Sequence, residues 1–248
     1  MIRSRHRWWR LLLLVIGLSC FAKGQAEQTL EDRAWREVSS ENFRIKSVLG
    51  EERTIELLRH LEIMRASLGG PNSTSADTNV RTVILAVDNH EDYVSVGAPD
   101  YSAGFFFSDL RENAILIEDS RQASGIQVIL HEYAHFLNKQ SGRIRYPRWY
   151  EEGNAEYLSH SRLRGQAFEF GLAPEKHLAA LSFSNWLPLR QTLEVTDVSA
   201  LDETKGALFY AQSWLLVHYL RSLPGTDHEV PGMLRNYTRL VSSGTLPV

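Results

Sequence analysis

The sequence predicts an α+β protein in which strands and one helix come first and helices dominate afterwards. Three patterns carry that prediction. Residues 42–48 (NFRIKSV) alternate apolar and polar, the period of a half-buried strand. Residues 81–87 (RTVILAV) form a short β-branched-rich run suited to an inner strand. Beyond residue 125 the long apolar patterns turn helical.

The elements follow in chain order. Residues 25–36 are polar and read as a lead-in to strand 42–48. Leu57, Leu61, Met64 and Leu68 recur at helical spacing, so residues 51–68 read as a helix, stopped by Gly69-Gly70-Pro71 and followed by a polar loop at 72–78. After strand 81–87, residues 104–107 and 113–118 read as two further strands joined by a turn near Ser108-Asp109. A helix is expected over 125–140, where Gly142 suits a C-terminal cap, and another from Pro147, a natural first-turn residue, to about Ser159. The chain is then less regular until an amphipathic helix at 205–223, and a final helix is expected at 231–242. The division is therefore an N-terminal α/β lobe over residues 27–142 and a helical C-terminal lobe over 143–248, with residues 1–26 standing apart.

Those first residues have the three parts of a secretory signal. Arg3, Arg5, Arg7 and Arg10 precede an apolar run at 11–18, and Gly24-Gln25-Ala26 offers a small-x-small cleavage site. The run is short for a membrane span. Export to the periplasm or medium is the expectation, with an uncleaved anchor through residues 8–22 or lipidation at Cys20 as the alternatives. Cys20 is the single cysteine, so a cleaved chain has no thiolate to offer a metal and no disulfide. Cleavage also removes five of the 27 basic residues and no acid, leaving 22 against 30 acidic. An acidic chain without a basic cluster is a poor nucleic-acid binder, and contact with a membrane would depend on the N-terminal segment being kept or lipidated.

The chemistry gathers in two segments. His131-Glu132-Tyr133-Ala134-His135 reads H-E-x-x-H. On a helix, residues four apart share a face, with β-carbons about 5–6 Å apart. Two imidazoles so placed can hold one zinc ion, while Glu132 reaches an attacking water without binding the metal. Ile126, Ile129, Leu130, Tyr133, Phe136 and Leu137 surround the motif, which implies a buried helix that holds the ligands rigidly. Seventeen positions after His135 comes Glu152, far enough along for a turn and a returning helix to bring its carboxylate to the same metal. His, His and Glu with one open position is a catalytic zinc pattern, one ion per chain. Glu156 lies one turn after Glu152 and can accept a hydrogen bond from a ligand imidazole, with His131 the expected donor. The plainer alternative for the two glutamates is a solvated helix face.

At these residues the chain resembles the gluzincin metallopeptidases, and in particular the peptidase MA-like bacterial proteins also described as DUF1570. The similar pieces are LHEYAHFL, PRWYEEGNAEYL and FYAQSWLLVHYL, with softer likeness in WREVSSENFRIKS and LLRHLEIMRASLG. The resemblance implies a zincin-like fold with a mixed sheet above the H-E-x-x-H helix. It implies that the glutamate of an E-G pair, here Glu152 rather than Glu151, is the third ligand, and that Glu156 supports the ligand shell. It also implies an edge strand, 104–107 or 113–118, that receives the substrate backbone as an added strand. The ligand spacing is slightly shorter than in the aminopeptidase-like relatives, and no exopeptidase motif is present.

The activity expected is peptide-bond hydrolysis, with a peptide or protein substrate, Glu132 as general base and Tyr210 as oxyanion donor. The plainer role for Tyr210, with Phe209, Trp214 and Tyr219, is packing. His218, in an apolar helix, is expected to be a core histidine. Two other readings use the same residues: a non-catalytic envelope protein that binds peptides or a protein partner in the cleft, and a metal-dependent hydrolase of a non-peptide amide.

Overall fold

A computed structural model describes residues 30–68, 81–108, 113–120, 124–140, 146–183 and 185–222, with scattered positions from 236 onward. The signal segment with Cys20, the breaker at 69–71 and its loop, Asp109 of the expected turn, and the expected cap at 141–142 lie outside the described residues. Of the helix expected at 231–242 only four positions carry a described helical conformation. The chain divides into two units. In Met1–Arg33 the described part is one 3-10 turn, Leu30–Asp32, closed by the Arg33 N–H on the Leu30 carbonyl at 3.4 Å. All elements below belong to Ala34–Val248.

Five strands form one mixed sheet: β1 (Arg36–Ser39), β2 (Phe43–Ser47), β3 (Thr82–Val87), β4 (Gly104–Ser108) and β5 (Asn113–Glu118), in the order β1-β2-β3-β5-β4. The pairs β2–β3 and β3–β5 are parallel, and the outer pairs β1–β2 and β4–β5 are antiparallel. Parallel neighbours need a crossover, and α1 (Glu51–Leu68) supplies the one between β2 and β3. Its buried residues Thr54, Leu57, Leu61 and Met64 are the apolar stripe foreseen from the sequence, apart from the threonine. That hydroxyl donates to the Gly50 carbonyl at 2.9 Å and so can be buried.

One face of the sheet makes the main core. Phe43 and Ile45 of β2, Ile84 and Ala86 of β3, Phe106 of β4, and Ile115 and Ile117 of β5 alternate with less buried residues and pack on α1 and α3 (Gly125–Gln140). Aromatic rings lock α3 to this face. Tyr133 meets Phe43 edge-on at 5.2 Å, and Phe136 meets Phe106 edge-on at 5.6 Å. The start of α3 is tied to α1, because Asp119 accepts the Gly125 N–H at 2.8 Å and the Arg53 guanidinium at 2.6 and 2.8 Å.

The C-terminal half holds α4 (Arg148–Ser159), α5 (Glu175–Phe183), α6 (Leu189–Glu194) and α7 (Glu203–Ser222), packed about a second core that includes Trp149, Leu187, Leu208, Phe209 and Val217. Pro147 is the N-cap of α4 rather than its first-turn residue, a shift of one position. The stretch read as irregular contains more order than its pattern indicates: a small hairpin, β6 (Arg162–Arg164) with β7 (Ala167–Glu169), then α5 and α6. Such short elements hold too few residues to develop a readable period. The same reason hides β1 and the six-residue α2 (His90–Ser95). Among the described residues, no helix is long and apolar enough to cross a membrane.

Candidate metal centre

Two helices bring the ligand candidates together. His131 and His135 lie one turn apart on α3, and α4 runs against that helix and presents Glu152. Gly153 explains how closely α4 can settle. A β-carbon there would stand 2.3 Å from the Ser213 carbonyl oxygen of α7, so only glycine lets the two backbones approach this far. The glycine after Glu152 therefore has a packing reason, and it seats the helix that carries the carboxylate.

The three ligand atoms converge. His131 Nε2 and His135 Nε2 are 3.1 Å apart, and Glu152 Oε2 is 3.5 and 3.4 Å from them. Tetrahedral zinc with donors at about 2.0–2.1 Å separates those donors by about 3.3–3.4 Å. The observed triangle matches that spacing. Among the described residues this is the group of three His, Cys, Asp or Glu ligand atoms close enough to share an ion.

Hydrogen bonds orient the donors. His131 Nδ1 faces Glu156 Oε1 at 3.1 Å. A carboxylate oxygen accepts only, so Nδ1 carries the proton and Nε2 can offer its lone pair to the shared point. Glu152 is held from its other side, where Arg148 Nη1 donates to Oε1 at 3.3 Å, leaving Oε2 toward the histidines. Arg148 also reaches Glu151 at 3.2 Å, but of the two adjacent glutamates Glu152 is the one whose carboxylate joins the histidines.

The charge states follow from this enclosure. Burial alone would push the His131 imidazolium down, but the hydrogen bonds to Glu152 and Glu156 outweigh it and hold its pKa well above the usual value. Burial opposes ionisation of Glu152 and Glu156, yet their histidine partners hold both carboxyls far below the usual carboxylate range. The metal-free cluster is thus a tightly paired set of imidazoles and carboxylates.

Around this point lies an open cleft of about 830 Å³. His131, Glu132, Glu156 and Tyr210 all line it, together with the segment from Tyr101 to Gly104 that leads into β4. Glu132 also lines a smaller recess of about 160 Å³ with Gly104, Phe105, Phe106, His135 and Arg148. Gly104 makes room for it: a β-carbon there would come within 2.9 Å of Glu132 Oε1 and 2.5 Å of Val128 Cγ1. Of the two strands considered for the substrate edge, β4 is the outer one and β5 is enclosed between β3 and β4.

Helix α7 separates the four aromatics of its motif by face. Phe209 and Trp214 are buried, Tyr219 is mostly exposed, and Tyr210 faces the cleft. Burial, followed by the nearby Glu152 and Glu156 carboxylates, pushes the Tyr210 hydroxyl up, so it stays protonated and able to donate. His218 sits between Trp214 and Tyr157, at ring separations of 5.0 and 6.1 Å, away from the cleft lining.

Three contributors escaped the sequence reading. Arg148 and His160 were within reach of it, since they lie one turn before Glu152 and one turn after Glu156. His160 Nδ1 approaches Glu156 Oε2 at 3.3 Å and the Glu156 carbonyl oxygen at 3.0 Å. His177 was not within reach: it arrives from α5 and bonds Glu156 Oε2 at 2.8 Å. Compared with known proteins, the sequence matches no family model and no curated protein.

Proposed function

We propose that this chain is an exported zinc-dependent metallopeptidase of zincin-like fold, cutting within peptide chains. The observation that carries the reading is the convergence of His131 Nε2, His135 Nε2 and Glu152 Oε2 at zinc-like spacing, with Glu132 lining the adjoining cleft. His131, His135 and Glu152 would hold the ion, and Glu156 would fix the His131 tautomer. Zinc bound there would polarise a scissile carbonyl and acidify a water.

The chain's own groups account for the remaining roles. Glu132 accepts the proton of the attacking water on its carboxylate and passes it to the leaving amine. Tyr210, kept protonated by its surroundings, donates to the oxygen that becomes negative in the tetrahedral intermediate. The outer strand β4 is paired on one side only among the described residues, and it leads past Glu132. An outer strand so placed suits an extended peptide, which would bind as an added strand. The similarity to gluzincins in the H-E-x-x-H and E-G segments supports the same reading.

The test measures metal content and peptide cleavage on residues 27–248. Wild type should carry about one zinc, and Glu152→Ala little. Glu132→Gln should keep the zinc and lose at least about a hundredfold in turnover. A folded wild type that takes up no zinc on reconstitution, or a Glu132→Gln protein with full activity, would overturn the proposal.

A further inference from the structure

Glu156 is gripped from two sides by different helices. His131 of α3 holds Oε1, and His177 of α5, 21 residues further along the chain, holds Oε2 at 2.8 Å. Both imidazole nitrogens face a carboxylate oxygen, so each must donate. A glutamate held by one oxygen alone can still swivel about its terminal bond. Held by both, its carboxylate plane is set, and so is the direction in which Oε1 meets the His131 ring.

The placement of His177 is unusual for a residue with no polar task. Helix α5 has no fully buried residue, and Leu178 and Phe183 on it are exposed. Yet His177 is turned inward, with its side chain only 12% exposed, against Glu156 and the ring of Trp214 at 6.1 Å. A packing helix would direct a leucine there. His160 cannot substitute for it, because its Nδ1 lies nearer the Glu156 backbone carbonyl, at 3.0 Å, than the carboxylate, at 3.3 Å.

We propose that His177 is a positioning residue for the metal centre: by holding Glu156 Oε2 it aims Oε1 at His131 Nδ1 and thereby keeps that nitrogen as a donor and sets the plane of the imidazole. The consequence for zinc rests on the metallopeptidase reading; the consequence for His131 does not. Because α5 also contributes Glu175 and Lys176 to the cleft wall, the same helix shapes the substrate space and steadies the ligand shell.

The test combines two readouts on wild type, His177→Leu and His177→Gln, each also made in a Glu156→Ala background. The first is the solvent-exchange rate of the His131 Nδ1 proton in metal-free, ¹⁵N-labelled protein. The second is zinc affinity by chelator competition. His177→Leu should speed exchange at least about tenfold and weaken zinc about tenfold, the lower end of the effect of losing a partner of a metal ligand. Gln, whose amide N–H reaches the same oxygen, should restore most of both. With Glu156 absent, changing His177 should alter neither further. Unchanged exchange in His177→Leu, equal losses in the Leu and Gln variants, or additive losses in the Glu156→Ala background would each overturn the inference. A wild type with a protected His131 proton but no zinc binding would sink the metal reading and leave the positioning role standing.

Discussion

Replacing Gly153 by alanine tests whether the close approach of α4 and α7 builds the centre. The added β-carbon would lie 2.3 Å from the Ser213 carbonyl oxygen, 2.6 Å from its carbonyl carbon and 3.0 Å from Val217 Cγ2. Carbon atoms in contact prefer about 3.5 Å or more, so the helices must part by about 0.9 Å at this point. Two of the three obstructing atoms are backbone and cannot rotate away. Overpacking of this kind costs about 1–3 kcal/mol, and the upper end applies here. Alanine gains about 1 kcal/mol over glycine in helix propensity, so the net loss should be about 2 kcal/mol. Urea unfolding would read this as a lower midpoint at unchanged slope. Because Glu152 is the preceding residue, the same movement should disturb a ligand triangle that tolerates about 0.5 Å, and zinc affinity should fall at least about tenfold. A Gly153→Ala protein as stable as wild type, with undiminished zinc affinity, would refute the packing argument.

Gly104→Ala perturbs the other wall. Its methyl meets the Glu132 side chain and Val128 rather than a metal ligand, so turnover should drop at least about tenfold while zinc content stays near one per chain; metal loss in parallel would show a broader collapse. Tyr210→Phe should keep zinc and substrate affinity and lower kcat by about a hundredfold, and an effect confined to KM would contradict the oxyanion role. The metal-free protein should have a two-sided pH profile. The raised pKa of His131 gives stability that is fully present below about 6.5 and lost as pH rises through its folded value, whereas the depressed Glu152 and Glu156 give stability present above about 4.5 and lost as pH falls through theirs. Thermal melts of chelator-treated protein should therefore peak between those values, and zinc should flatten the alkaline side. Melting temperatures that climb steadily from about pH 6.5 to 8.5 without metal would contradict the assigned charges.

Much of the centre is local, and local geometry can be read from a sequence. His131 and His135 share a face because a helix returns to the same side after four residues, and the same rule stacks Glu156 above Glu152 and places Arg148 and His160 at either end of that row. The main strands and the helices α1, α3, α4 and α7 are legible because each is long enough, or alternates cleanly enough, to show its period. Strand order is a different matter. Nothing within 104–107 or 113–118 says which is the outer strand, because pairing joins residues distant in the chain, and the fold decides that β4 borders the cleft. His177 is likewise brought to Glu156 only by the packing of α5 on α7. Gly104 and Gly153 look like ordinary glycines until the surfaces they face are known, and then their missing β-carbons are what allow Glu132 and Glu152 to stand where they do. By itself, then, the sequence determined the types of the candidate ligands and the helical faces that present them. Only tertiary structure decided their mutual distance, the strand beside them and the helices that hold them, because those depend on contacts between surfaces far apart in the chain.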